Sequence, residues 1–135
     1  MHARITVHPR LPNQAIAQGL AQAKVFFFPS QYEGFGIALA EAMACSCAAV
    51  TTPTGFGAEL KHGQEVIRCE FNDAAAMTAA IMELLDNEAW RCRIARQGWQ
   101  RVQSLRWHTS VAKLDTLYRQ WVADHQSTLF SYSGV

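Results

Sequence analysis

The chain has 135 residues, which is enough for one domain with a sizeable hydrophobic core. Half of the residues are apolar and 17% are charged, as in ordinary globular proteins. The formal net charge of +1 gives no electrostatic basis for a nucleic-acid partner. No apolar run reaches the ~20 residues of a membrane-spanning helix. The first residues lack the pattern of a secretory signal, so we expect a cytoplasmic protein.

The first third of the chain predicts a strand, a helix and a second strand. Residues 5–8 form a short extended segment that ends at a proline. A helix is expected over residues 13–23, with Asn13 as its N-cap and with Ile16 and Leu20 on its buried side. The segment Val25–Phe28 is apolar without alternation, which is typical of a strand covered on both faces in a parallel sheet.

The middle of the chain continues this alternation of strands and helices. A turn over residues 33–36 precedes a helix at 36–45, and a second buried strand follows at 47–52. After a glycine-rich loop we expect a short helical piece near 58–61 and a last strand at 65–69.

Helices dominate the remainder. Asp73 is expected to cap a helix that ends near residue 86. Its inward-facing residues should be Met77, Ile81, Leu84 and Leu85. Further helices are predicted over 88–104 and 108–123, followed by a flexible tail over 127–135. The pattern predicts an α/β fold: a partial Rossmann-like parallel sheet flanked by helices, with C-terminal packing helices, in one domain over 1–126.

Basic residues are concentrated in the last third of the chain. Two interpretations are open: a solvated helical face, or a patch that contacts an anionic membrane surface or an acidic partner. The second would place the protein peripherally on the inner face of a membrane. The cluster consists of Arg91, Arg93, Arg96, Arg101, Arg106, Lys113 and Arg119.

Cysteine and histidine spacings do not match a metal site. The cysteines at 45, 47, 69 and 92 form no C-x-x-C pair, and the histidines show no ligand spacing. We therefore predict no bound metal.

The segment that contains Glu33 and Glu41 is the best candidate for a functional site. Glu41 is the only charged residue between Gly34 and Ala58, in a helix rich in alanine. It either turns to solvent or accepts hydroxyl hydrogen bonds from a ligand at the carboxyl end of the sheet. The glycines at 34 and 36 flank Phe35, between a strand and a helix amino terminus that suits a phosphate group.

These residues resemble the E-x7-E signature of the retaining group 1 glycosyltransferases, which have the GT-B fold. The similar stretches are FPSQYEGFG at 28–36 and EAMAC at 41–45. Similarity continues through the strand near 49–51, the loop at 57–59 and the helices after Asp73, and covers about residues 4–123.

The resemblance implies a role for each site residue. Glu33 would be the catalytic residue that hydrogen-bonds the donor sugar, after which Gly34 leaves room for the ligand. The amides of Phe35, Gly36 and Ile37 would meet the sugar and the diphosphate, and Glu41 would hold the ribose hydroxyls. The donor would be a nucleoside diphosphate sugar, and no cofactor or catalytic metal is implied.

Parts of the family pattern have no counterpart in this sequence. We find no match to the first two strands of the donor domain, to its Arg–Lys pair, or to the acceptor domain. We therefore expect a truncated donor-binding domain that is inactive by itself and needs an N-terminal acceptor domain or a partner chain. The alternative is a catalytically degenerate binding or interaction module.

The missing strands also imply an open edge at Val25–Phe28. We expect either that residues 5–8 fill the vacant position or that two chains pair there. The second possibility is a homodimer.

Overall fold

The computed structural model of the chain describes residues 5–131, with side chains through residue 125. These residues form two compact units that divide between Val102 and Gln103. The elements of the first unit are α1 (Asn13–Gln22), β1 (Val25–Phe28), α2 (Ile37–Ala44), β2 (Ala48–Thr51), α3 (Phe56–Glu59), β3 (Ile67–Arg68), α4 (Ala74–Asp86) and α5 (Glu88–Val102).

The three strands form a parallel sheet in the order β1-β2-β3. All four residues of the central strand β2 are buried, and its side chains alternate between two hydrophobic clusters. Ala48 and Val50 pack with residues of α4 and α5 on one face. Ala49 packs with Leu39 and Met43 of α2 on the other face. The predicted α/β class, with a parallel sheet flanked by helices, is confirmed.

The predicted strand at residues 5–8 is wrong. This segment is irregular and exposed, with Ile5 81% and Val7 82% accessible to solvent. Strand propensity reflects packing on a half-buried sheet surface, and no described strand of the sheet pairs with this segment. It therefore does not occupy the position beside β1.

Helix α1 is present, but two details of its prediction are wrong. Its N-cap is Pro12 rather than Asn13, and the Pro12 carbonyl accepts the amides of Ala15 and Ile16. No residue of α1 is buried, although Ile16 and Leu20 were expected on a buried side. Because α1 contacts the rest of the unit mainly through α2, its apolar side chains line an open cavity instead of the core.

The later elements follow the prediction with shifted bounds. Helix α3 begins two residues earlier than expected, and β3 is only two residues long. The Asp73 carboxylate caps α4 by accepting the Ala76 amide at 2.9 Å, as predicted. Met77 and Leu84 are buried, and Ile81 packs at the edge of the same cluster.

Leu85 is 40% exposed, so its predicted inward position is wrong. Ala80 lies on the buried face of α4 instead, at helical spacing from Met77 and Leu84.

Strand β1 forms one edge of the described sheet. It pairs with β2 on one side, and no strand within residues 5–131 pairs with its other side. Phe26 and Phe28 pack on the α2 side of the sheet, whereas Phe27 is 43% exposed. The expected open edge is therefore present, but only one of the three phenylalanines is strongly exposed.

The second unit consists of a short 3-10 turn, Gln103–Leu105, and the long helix α6 (Trp107–Ser131). An ion pair between Arg119 Nε and Asp115 Oδ2, 2.8 Å apart, spans one turn of α6. The helix continues past residue 123 and through 127–131, where the sequence predicts a tail. Residues 132–135 lie outside the described residues.

Three members of the basic cluster have acidic partners. Arg91 lies 3.8 Å from Glu88, and Arg101 lies 3.5 Å from Glu59. With Arg119 already paired, this cluster is less strongly positive than the sequence alone indicates. Across residues 5–131, no helix combines the length and the apolar character needed to cross a bilayer. The membrane-contact interpretation stays a prediction.

Candidate functional site

Two threonine hydroxyls at the end of β2 bind backbone carbonyls at and just after the end of β1. Thr51, the last residue of β2, and Thr52 directly after it are both about 1% exposed. The Thr51 hydroxyl donates to the Phe28 carbonyl at 3.0 Å, and the Thr52 hydroxyl donates to the Ser30 carbonyl. The segment after β1 is thereby fixed at the carboxyl edge of the sheet, where α/β proteins bind ligands.

Two loops meet at this edge and form what we call the loop platform, residues 30–36 and 52–56. The Glu33 amide donates to the Thr54 hydroxyl at 3.1 Å. The Phe56 amide donates to the Phe35 carbonyl at 2.6 Å, and the two rings stack with centroids 5.0 Å apart. Gly55 permits this approach, because an added Cβ would lie 2.6 Å from the Phe35 oxygen.

Gly36 connects the loop platform to helix α2. Its φ of +89° is in the left-handed region that favours glycine, and it is the N-cap of the helix. The Gly36 carbonyl accepts the Leu39 amide at 3.0 Å. The amides in the first turn of a helix have no acceptor within the helix, and the helix dipole adds positive potential there. An anion is therefore favoured beside Gly36 and Ile37.

Glu33 lies on the loop platform with its carboxylate hydrogen-bonded. The side chain is half-buried, and Oε1 accepts the Ser30 hydroxyl at 2.8 Å. Its Cγ lies 3.9 Å from the position that a Cβ on Gly36 would occupy. Gly34 is open, since a Cβ added there would meet nothing within 4 Å. The structure thus brings Glu33, Gly34, Phe35 and Gly36 together, with Ile37 directly after them.

Glu41 lies on a different surface, where α2 faces α1. Its side chain is exposed, so it is accessible both to solvent and to a ligand. It also lines a cavity of about 260 Å³. The other lining residues come from α1 and from the end of α2: Asn13, Ile16, Ala17, Leu20, Ala44 and Cys45.

The cysteines of the chain are free thiols. Burial raises the pKa of Cys47 to about 11, and the neighbouring Cys45 adds to this. Burial also raises the pKa of Cys69, as do the carboxylates of Asp73 and Glu70. Raised values keep these thiols protonated, which disfavours a nucleophilic role. Within residues 5–131, no group of three or more His, Cys, Asp or Glu side chains is placed to hold a metal ion.

Sequence reasoning missed the second half of the loop platform. The sequence predicts only the end of a strand at Thr52 and a loop from Thr54, and it does not single out Phe56. The available signal is the run of hydroxyl residues at the end of an apolar strand. Such residues at a strand end commonly bind neighbouring backbone groups.

Comparisons with known proteins identify the family of this chain. The family model described as "Glycosyl transferases group 1" matches residues 1–101. O-antigen chain mannosyltransferase B of Escherichia coli is 27% identical over 109 residues, which cover 81% of this chain and 28% of that protein. Glycogen synthase of Mycobacterium tuberculosis is 34% identical over 101 residues, which cover 73% of this chain and 24% of that protein.

A solved structure shares the fold. Sucrose-phosphate synthase of Thermosynechococcus elongatus superposes with a TM-score of 0.79 at 29% identity. The match covers 90% of this chain and 31% of that one. The chain therefore spans about a quarter to a third of the length of these relatives. With the family model matching three quarters of its residues, the chain belongs to the group 1 glycosyl transferases.

Proposed function

We propose that this chain forms the donor-binding part of a retaining glycosyltransferase. The reaction would transfer a sugar from a nucleoside diphosphate sugar to an acceptor hydroxyl. The observation that carries the proposal is the loop platform, which places Glu33 and the amino end of α2 side by side at the carboxyl edge of the sheet. Glycosyltransferase and synthase relatives that align with this region support the same assignment.

The diphosphate of the donor would lie against the start of α2. The amides of Phe35, Gly36 and Ile37 are the donors available there, and the open surface at Gly34 permits close approach. Such donors stabilise the negative charge that grows on the leaving diphosphate as the glycosidic bond breaks. The proposal includes no cofactor beyond the donor substrate.

Glu33 would act on the donor sugar. A carboxylate accepts hydrogen bonds from sugar hydroxyls, and the Ser30 hydroxyl fixes the direction of this one. With one oxygen engaged by Ser30, the other remains available to the sugar. This role is positional: Glu33 aligns the sugar next to the diphosphate held by the amides.

Glu41 would hold the ribose hydroxyls of the nucleotide. The cavity beside it has mostly apolar walls, which suit the faces of a nucleobase. The E-x7-E spacing would then separate two tasks, with Glu33 at the sugar and Glu41 at the nucleoside. The acceptor site would come from an acceptor domain or a partner chain, since this chain covers only part of the length of its relatives.

Nucleotide titration of the 135-residue chain tests the proposal. We expect binding of a nucleoside diphosphate with a dissociation constant on the order of 0.1–1 mM, because the amide contacts lack the charge-assisted contacts of a cationic pair. Amide chemical shifts should change at Gly34, Phe35, Gly36 and Glu41. The change Glu41→Ala should abolish them.

The matched control is Glu83→Ala, which removes an exposed carboxylate from α4. It should bind as the unchanged chain does. Shift changes confined to other regions, or none at millimolar nucleotide, would contradict the site assignment.

A further inference from the structure

Arg101 contacts both ends of the short helix α3. Its guanidinium carbon lies 5.3 Å from the centroid of the Phe56 ring, at the first residue of α3. Its Nη2 lies 3.5 Å from Glu59 Oε2, at the last residue of that helix. Arg101 belongs to the last turn of α5, so α5 and α3 are joined at this point.

Of these two contacts, the one with the aromatic ring is the stronger constraint. The Glu59 side chain is 63% exposed, and exposed ion pairs contribute little. The Arg101 side chain is only 31% exposed, and Phe56 is about 1% exposed. A cation over the face of a ring that is removed from water is less screened by solvent.

Phe56 transmits this contact to the loop platform in two ways. Its ring stacks on the Phe35 ring at an interplanar angle of 22°. Its amide donates to the Phe35 carbonyl. An unbroken series of contacts therefore runs from Arg101 through Phe56 to Phe35.

The Phe35 carbonyl shares a peptide plane with the Gly36 amide. No described peptide bond is cis, so the carbonyl and the N–H of this plane point in opposite directions. When Phe56 holds the Phe35 oxygen, it also sets the direction of the Gly36 N–H, which points away from Phe56. The Gly36 amide is one of the groups proposed above to meet the donor.

We propose that Arg101 is a positioning residue for the loop platform: through Phe56 and Phe35 it fixes the direction of the Gly36 amide. This inference rests on the proposed function, because it assigns the purpose of the contacts to donor binding. A group held in its binding direction before the ligand arrives loses less freedom when the ligand binds.

The first measurement uses the free protein. Arg101→Met keeps the length of the side chain and removes both the cation and the planar group. We expect it to move the amide resonances of Phe35 and Gly36 in the absence of any nucleotide. Arg96→Met on the same helix, at an exposed position, is the matched control and should leave both resonances in place.

The second measurement is the affinity for UDP, GDP and ADP. Loss of a cation–π contact of ordinary strength predicts about two- to fivefold weaker binding of whichever nucleotide the unchanged chain takes. Arg101→Lys, which keeps the charge, should lie between the unchanged chain and Arg101→Met. Glu59→Gln should bind normally, since it removes only the exposed ion pair.

The outcomes separate the two proposals. If the unchanged chain binds none of the three nucleotides, the proposed function fails, and the free-protein resonances still test the coupling. If Arg101→Met leaves the Gly36 amide unmoved, or binds nucleotide as tightly as Arg96→Met, the role of Arg101 is refuted. Should Arg101→Met not fold, an unmoved Gly36 amide in Arg101→Lys has the same meaning.

Discussion

Gly55 allows the two loops of the loop platform to pack closely against each other. Its φ of +51° is unfavourable for other residues, and a Cβ there would lie within 3 Å of the Phe35 oxygen and carbonyl carbon. Gly63 offers a natural comparison, because its φ is +73° but a Cβ would meet nothing within 4 Å. Comparing substitutions at Gly55 and Gly63 therefore distinguishes the cost of backbone strain from the cost of displacing the loop that contains Phe35.

Alanine substitution at these two glycines should therefore have different effects. Gly63→Ala should lower the free energy of unfolding by about 1–2 kcal/mol, the usual cost of a left-handed alanine. Gly55→Ala should cost more and also weaken nucleotide binding, because the Phe35 loop must move. Urea unfolding and amide shifts at Phe35 would measure this. Equal losses of stability with unchanged binding would contradict it.

The raised pKa of Cys47 predicts that the stability of the protein depends on pH in the alkaline range. Its buried thiol donates to the Ala23 carbonyl at 3.4 Å, and its pKa is raised from 9.0 to about 11. A raised pKa means that the unfolded chain loses this proton first, so the stabilisation is complete below pH 9.0 and is lost toward pH 11. Between these values, unfolding free energies of Cys47→Ala should fall less steeply than those of the unchanged chain. Parallel pH profiles would rule out the effect.

At the level of elements, the sequence predicted what local signals determine. The apolar runs gave β1 and β2, and Asp73 marked the start of α4 correctly. The predictions are wrong where contacts with residues distant in the chain determine the structure. Residues 5–8 have a strand-like sequence but no partner strand. Leu85 has the helical spacing of a buried residue, yet Ala80 takes the inner face of α4.

The candidate site was predictable to a similar extent. The resemblance singled out Glu33 and the glycines as candidates, because they are adjacent in the sequence. It could not place Glu41 in the α1–α2 cavity, nor the support of Phe35 by Phe56 and Arg101. These contacts join segments that are distant in the chain, and no local pattern encodes them.

The N-cap of α4 can be tested at the level of the element. Asp73→Ala removes the acceptor of the Ala76 amide and should destabilise the protein by about 1 kcal/mol. Asp73→Asn keeps a side-chain oxygen there and should lose much less. Because α4 packs on β2 through Met77 and Leu84, the loss should appear in global urea unfolding. If both variants lose the same amount, the cap is not the cause.

On the scale of the whole molecule, the open edge of β1 predicts self-association. Unpaired strand edges with exposed apolar side chains favour pairing between chains, and Phe27 is exposed there. Residues 5–8 do not cover this edge, and we propose that two copies of the 135-residue chain pair there through β1 as a homodimer.

Sedimentation at micromolar concentration would detect this dimer. Phe27→Lys should shift the equilibrium toward monomer, because a charged side chain blocks edge pairing. Met82→Lys is the matched control, since Met82 is 51% exposed on α4. A chain that sediments as a monomer at every concentration, with or without Phe27, would exclude the dimer.

The parallel arrangement of β1 and β2 also affects how the chain is synthesised and folds. Parallel neighbours cannot close as a hairpin, and the paired residues Phe28 and Thr51 are 23 residues apart. At a synthesis rate of ~5–20 residues per second, the ribosome completes β2 about one to five seconds after β1. During that interval the three consecutive phenylalanines of β1 are not yet paired with β2, and exposed apolar segments of this kind make a nascent chain prone to aggregation.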